Sequence, residues 1–254
     1  MDKKIKTHDE LMNVWQARHE AKGYKDFIAD GIIDEVSWGQ SKIKVAFLLK
    51  EAYGTFGSLT DHFKEWGEVK YQLWHNVSYW LYGMHHVWNE KVVPDFTVCK
   101  SEETSKERYQ YFLSTAIINI KKSNGTSSTE KEDLMKYLKE DADLIKTQLE
   151  LIDPDVIICG GTYEAMMEMY GLDYEKGKLA DWTYRWRDEN KDRLVIDFIH
   201  PAAQIYSAMS YYTITSMYAK AIERMKAAKI ITLPATSEYR AGKVYSQEEY
   251  VVKK

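Results

Sequence analysis

Cysteine is almost missing from this chain: its 254 residues hold only Cys99 and Cys159. Two cysteines exclude a disulfide scaffold and any four-cysteine metal or cluster site. Cys159 sits inside the apolar run VIICGG, which predicts a buried thiol and fits a reducing compartment. No run approaches the ~18 apolar residues of a membrane span. The first residues, MDKKIKTHDE, lack the apolar core of a signal peptide. A cytoplasmic protein with no membrane partner is therefore expected. Net positive charge is missing too. The formal balance of −4 argues against a protein that coats nucleic acid indiscriminately, while leaving room for a locally basic groove. There is no internal repeat, low-complexity segment, P-loop, G-x-G-x-x-G or G-x-S-x-G. His85-His86 has no HExxH or cysteine pair beside it. Adjacent helical side chains diverge by about 100°, so a plain helix surface is expected there.

What is present is an ordinary globular composition, 44% apolar and 29% charged, with length enough for one domain over 1–254. Aromatics are abundant: 19 Tyr and 8 Trp, more polar-tipped rings than a core alone absorbs. Hydrophobic patterning predicts helices over 8–29, much of 58–89, 129–152, 163–170 and 213–228. Apolar runs at 43–49, 116–119, 156–159 and 194–199 read as strands covered on both faces. The segment 173–192 reads as an excursion or hairpin, and 229–254 as an edge hairpin or interaction tail. Strands alternating with helices predict an α/β fold with a parallel sheet between helix layers.

Three of those strands end in residues suited to chemistry, and a parallel sheet gathers its carboxyl ends on one side. Glu51, after LLK, is either a solvated loop glutamate or a carboxylate that holds a water or steadies a developing cation. Asn119 presents an amide that can pair with a base edge, or else closes an Asx turn. His200, stiffened by Pro201, can donate to an oxyanion on a leaving group, or is simply satisfied by backbone. Lys121-Lys122 either touch phosphate or form a solvated loop pair. Gly160-Gly161-Thr162 either cradles a phosphate or only turns a strand into a helix.

Three segments resemble the uracil-DNA glycosylase superfamily. LLKEAYG (48–54) looks like its first motif, in the G-E-A-P-G version of the family 4 enzymes. IINIKKSNGTSST…QLELIDPDVIICGG (117–161) is similar to the segment carrying the base-reading Asn and the unit behind it, where family 4 has QLELIDPKVIV. IHPAAQ (199–204) looks like the second motif, H-P-S or H-P-A. The matching parts span about 43–225, flanked by an N-terminal helix and a 229–254 extension. The resemblance implies a three-layer α/β/α sandwich on a four-stranded parallel central sheet. It also implies hydrolysis of the N-glycosidic bond of a flipped damaged or modified base, uracil or a related pyrimidine, in DNA.

By motif position Glu51 would orient water or steady the oxocarbenium-like sugar. Asn119 would read the base. His200 would stabilise the departing base anion. Gln204, Ile205 and Tyr206 stand where the family inserts a wedge, and Lys121 would touch the DNA backbone. Lys50 and Tyr53 replace a Gly and a Pro of the first motif; Tyr53 either walls the pocket or only packs. The aromatic stacked on the base would come from Phe56, Phe63, Trp66 or Trp74. The family 4 cluster cysteines are absent, so no cofactor and no metal is expected. The partner expected is DNA with a damaged or modified base, bound by a monomer. The other reading is a non-catalytic module on the same fold that binds nucleic acid, a nucleotide or a protein.

Overall fold

The computed structural model describes residues 5–54, 57–125, 130–172, 177–187 and 191–228. In chain order the elements are α1 (His8–Ala21), β1 (Ile28–Ala29), β2 (Gly31–Ile32), α2 (Glu35–Gln40), β3 (Val45–Glu51), β4 (Gly57–Ser58), α3 (Leu59–Glu65), α4 (Gln72–Glu90), α5 (Phe96–Cys99), α6 (Ser105–Leu113), β5 (Thr115–Lys121), α7 (Lys131–Ile152), β6 (Val156–Gly160), α8 (Tyr163–Tyr170), β7 (Lys178–Ala180), β8 (Thr183–Arg187), β9 (Asp192–Phe198) and α9 (Ser207–Ala227). The expected extension at 229–254 and the expected start of α7 at 129 lie outside the described residues.

β5, β3, β6 and β9 run parallel to one another, in that spatial order. They do not form the whole sheet. The expected four-stranded parallel sheet is corrected to a seven-stranded mixed one, ordered β2-β5-β3-β6-β9-β8-β7. β2 pairs antiparallel with β5 on one side; β8 and β7 continue antiparallel from β9 on the other. The reason is edge pairing: a quartet of strands leaves a row of N–H and C=O groups open on each flank. Here the short 31–32 strand and the 178–187 hairpin satisfy them.

Strand alternation then assigns the faces. Val45, Phe47, Leu49, Ile117, Leu194, Ile196 and Phe198 pack beneath α3, α4, α6 and α9. Ala46, Leu48, Ala116, Ile118, Ile157 and Val195 pack beneath α1, α2, α7 and α8. The result is a mixed α/β fold with a mostly parallel central sheet and helices on both faces.

Boundaries shifted where capping decided them. α1 is capped by Thr7, whose hydroxyl accepts from the Glu10 N–H, and it stops at Ala21 instead of running on to 29. α7 ends at Ile152 and is capped by Asp153, which takes the left-handed conformation (φ 50°) ahead of Pro154. The strand expected at 116–119 runs over 115–121, preceded by a helix at 105–113. His85 is not on a surface: it is buried, stacked 4.1 Å from Tyr111, and burial pushes its pKa down to about 3. Both cysteines are free and buried, and burial pushes their thiols up. Among the described residues no helix is long and apolar enough to cross a membrane.

Candidate functional site

β3, β5 and β9 end on one side of the sheet, and register places their polar residues. Leu49 pairs with Asn119, and Glu51 with Lys121. Side chains two apart share a face, so Glu51 follows Phe47 and Leu49 on the α4 side, and Asn119 follows Ile117. His200 follows Phe198 just past the end of β9. All three line one cavity of about 790 Å³, within the range of small-molecule sites. Its apolar wall comes from Leu59, Phe63, Trp66, Leu73 and Trp74.

His200 is held in one protonation state and one tautomer. Burial, and then the charge of Lys50, push its pKa down to about 4. The ring is neutral at pH 7. The Ala202 N–H donates to Nδ1 at 3.2 Å, so Nδ1 is the acceptor and the ring proton sits on Nε2. The loop carrying it is pinned from α4: Asn76 Nδ2 donates to the Pro201 carbonyl at 2.8 Å, and the Ser207 hydroxyl donates to Asn76 Oδ1 at 2.8 Å. The site thus offers a fixed neutral N–H donor.

Glu51 is 5% exposed and is not a solvated loop residue. Lys121 Nζ lies 3.0 Å from its Oε2 and 2.6 Å from Asp133 Oδ2. Lys121, 12% exposed, is therefore turned towards Glu51 instead of standing open to phosphate. The loop after β5 closes over the same carboxylate. The Gly125 N–H donates to the Ala52 carbonyl at 2.7 Å, and the Gly54 N–H donates to Asn124 Oδ1 at 3.1 Å. A Cβ on Gly125 would stand 2.3 Å from Glu51 Cδ. Any larger residue at 125 would have to push the Glu51 side chain aside.

Asn119 is 2% exposed and makes no Asx turn; Asn124 binds the loop backbone instead. The Asn119 N–H and Nδ2 both donate to Asp30 Oδ2, at 2.8 and 3.1 Å. Lys122 is not a solvated or phosphate-facing lysine: it is wholly buried against the other oxygen of Asp30. The turn Gly160-Gly161-Thr162 joins β6 to α8, with the Thr162 hydroxyl donating to the Leu48 carbonyl at 2.6 Å. A Cβ on Gly160 would meet Leu49 Cδ2 at 2.5 Å, so close strand packing accounts for that glycine.

The aromatics divide. Phe63 and Trp74, 4.6 Å apart edge to face, serve as core and cavity wall together. Tyr53 stands at the cavity mouth, 68% exposed. Gln204, Ile205 and Tyr206 project outside the cavity on the turn before α9, Tyr206 being 81% exposed. Phe56 lies outside the described residues. Lys50, His62 and Tyr71 also line the cavity and were not anticipated as site residues. Lys50 runs beside Gly161 towards His200. Tyr71 holds φ 61° and ψ 141° at the start of α4, a strained backbone of the kind that concentrates at ligand sites. Asp30 was missed as well, although a lone acid inside FIADGII is a visible irregularity.

No protein-family model matches the chain, and no curated protein matches it either.

Proposed function

We propose that the chain is a monofunctional DNA N-glycosylase that hydrolyses the bond between deoxyribose and a flipped damaged or modified base. The observation that carries this is the convergence of Glu51, Asn119 and a neutral His200 on one aromatic-walled cavity. The parallel core β5-β3-β6-β9 with helices on both faces supports the three-layer sandwich of the uracil-DNA glycosylase superfamily, which the three motifs resemble.

In this reading the base enters the cavity against Phe63 and Trp74, with Tyr53 at its mouth. Asn119 bonds its edge. As the glycosidic bond breaks, negative charge collects on the base and positive charge on the sugar. His200 Nε2–H donates to the base oxygen without giving up its proton. The nearby Lys50 charge favours the same anion. Glu51, its charge balanced by Lys121, holds the attacking water and faces the cationic sugar. Tyr206 and Ile205 fill the vacated stack. The protein acts on DNA as a monomer, in the cytoplasm.

The test is base release from oligonucleotides carrying uracil, hypoxanthine, xanthine or a bulky modified cytosine. Release of at least one is expected. His200→Ala and Glu51→Gln are each expected to slow it by about 10²–10⁴-fold. Full rates in both variants would move the site elsewhere. A second reading, a binding module without turnover, is favoured by the close Glu51–Lys121 pair, which restrains the carboxylate as a base. Tight binding of modified-base DNA with no release would select it.

A further inference from the structure

Behind Asn119, away from the cavity, lies a polar cluster for which the proposed reaction has no use. Asp30, Lys122 and Gln148 are all buried. They come from the turn between β1 and β2, the residue after β5, and α7. Asp30 Oδ2 accepts from the Asn119 N–H and from Asn119 Nδ2. Asp30 Oδ1 accepts from Lys122 Nζ, and from Gln148 Nε2 at 3.0 Å. Gln148 Oε1 accepts from the same Lys122 ammonium at 2.9 Å.

We propose that Asp30 is a positioning residue that presets the Asn119 amide, and so makes the site choose a base with a ring N–H over one with a bare ring nitrogen. A carboxylate oxygen in this cluster can only accept, since each already faces two donors. The Asn119 atom turned to it is therefore the amino group. The backbone N–H of Asn119 shares that oxygen, so the residue is clasped at main chain and side chain together. A flipped amide would press a carbonyl against a carboxylate in a water-poor core, where such a contact is strongly opposed. Lys122 and Gln148 occupy Oδ1 and leave Oδ2 for Asn119.

The consequence lies on the cavity side. Asn119 Oδ1 accepts from none of the described residues and is left for the ligand. An acceptor fixed there matches the N3–H of uracil or the N1–H of hypoxanthine. It opposes the unprotonated N3 of cytosine, because two acceptors would face each other. The residue that sets this choice belongs to the N-terminal segment, outside the stretch that carries the three motifs.

The base choice rests on the glycosylase reading of the cavity; the clasp does not, and the two are measured separately. In the full chain labelled with 15N at asparagine side chains, Asn119→Ala identifies the signal. The Asn119 NH2 is expected as two well-separated proton signals, one exchanging slowly with solvent. Fast exchange, as for an exposed asparagine, overturns the clasp in the unaltered protein, with no variant needed. Asp30→Asn combined with Lys122→Gln removes both charges, so neither is left alone in the core. In that variant the slow exchange is expected to disappear. The preference for free uracil over free cytosine, read by binding without turnover, is expected to narrow on the order of tenfold. Retained slow exchange overturns the clasp. A changed exchange beside an unchanged preference overturns the link to base choice. If the unaltered chain binds uracil selectively but releases no base from DNA, the glycosylase reading falls and the Asp30 assignment stands.

Discussion

Lys121 and Lys122 are neighbours in sequence and opposites in setting. Lys121 ends β5 on the cavity side, between Glu51 and Asp133, with the Tyr137 ring 5.3 Å from its ammonium. Lys122 points to the buried side, between Asp30 and Gln148, with the Trp15 ring 4.6 Å away. Their pKa values move in opposite directions. Burial pulls Lys121 down, but the two carboxylates outweigh it and raise the value. Complete burial pulls Lys122 down, and Asp30 does not fully offset it. The difference teaches that ion pairing in a protein is a contest between desolvation and partner charge. One residue's step along a strand decides which side wins.

Breaking the two pairs should separate them further. Lys122→Met leaves Asp30 as a lone buried charge and is expected to destabilise by about 3–5 kcal/mol. Lys121→Met, one of whose partners, Asp133, is 43% exposed, is expected to cost less, about 1–3 kcal/mol. Urea unfolding of both variants checks this, and equal losses would erase the contrast. Gly125→Ala sharpens the cavity side alone. Its new Cβ displaces the flexible Glu51 side chain, so folding is expected to hold while base release falls on the order of a hundredfold. A rate near that of the unaltered chain would show that Glu51 has room to move.

The smallest effect is in pH. The folded-state pKa of His200, about 4, lies below its ordinary value of 6.5. Its contribution to stability is therefore complete above pH 6.5 and is lost as pH falls from there towards 4. The release rate is expected to stay level from pH 7 to about 5.5 and to drop as pH approaches 4, where His200 takes up its second proton. A rate that halves near pH 6.5 would mean an unshifted histidine.

Much of the fold was legible because its signals are local. VAFLLKE, TAIINIK, VIICG and DRLVIDF are apolar, β-rich runs between helical patterns, and each became a strand of the parallel core. The edge strands were less legible. Gly31–Ile32 has two residues, too few for a period to register. At the site, Glu51, Asn119 and His200 were legible as polar residues closing such runs, and they do share a cavity. Lys121 was assigned to DNA because it sits in a polar loop; it turned to Glu51 because cross-strand register puts the two side by side.

The sequence by itself determined the order of the strands and which residues stand at their ends, because alternation and periodicity are properties of neighbours along the chain. Tertiary structure alone decided the partners of those residues. Asp30 lies 89 positions from Asn119 and 92 from Lys122. No local pattern joins residues so far apart. The clasp exists because the antiparallel 31–32 strand pairs with β5 and carries Asp30 to the back of Asn119, where burial excludes the water that would otherwise have satisfied all three.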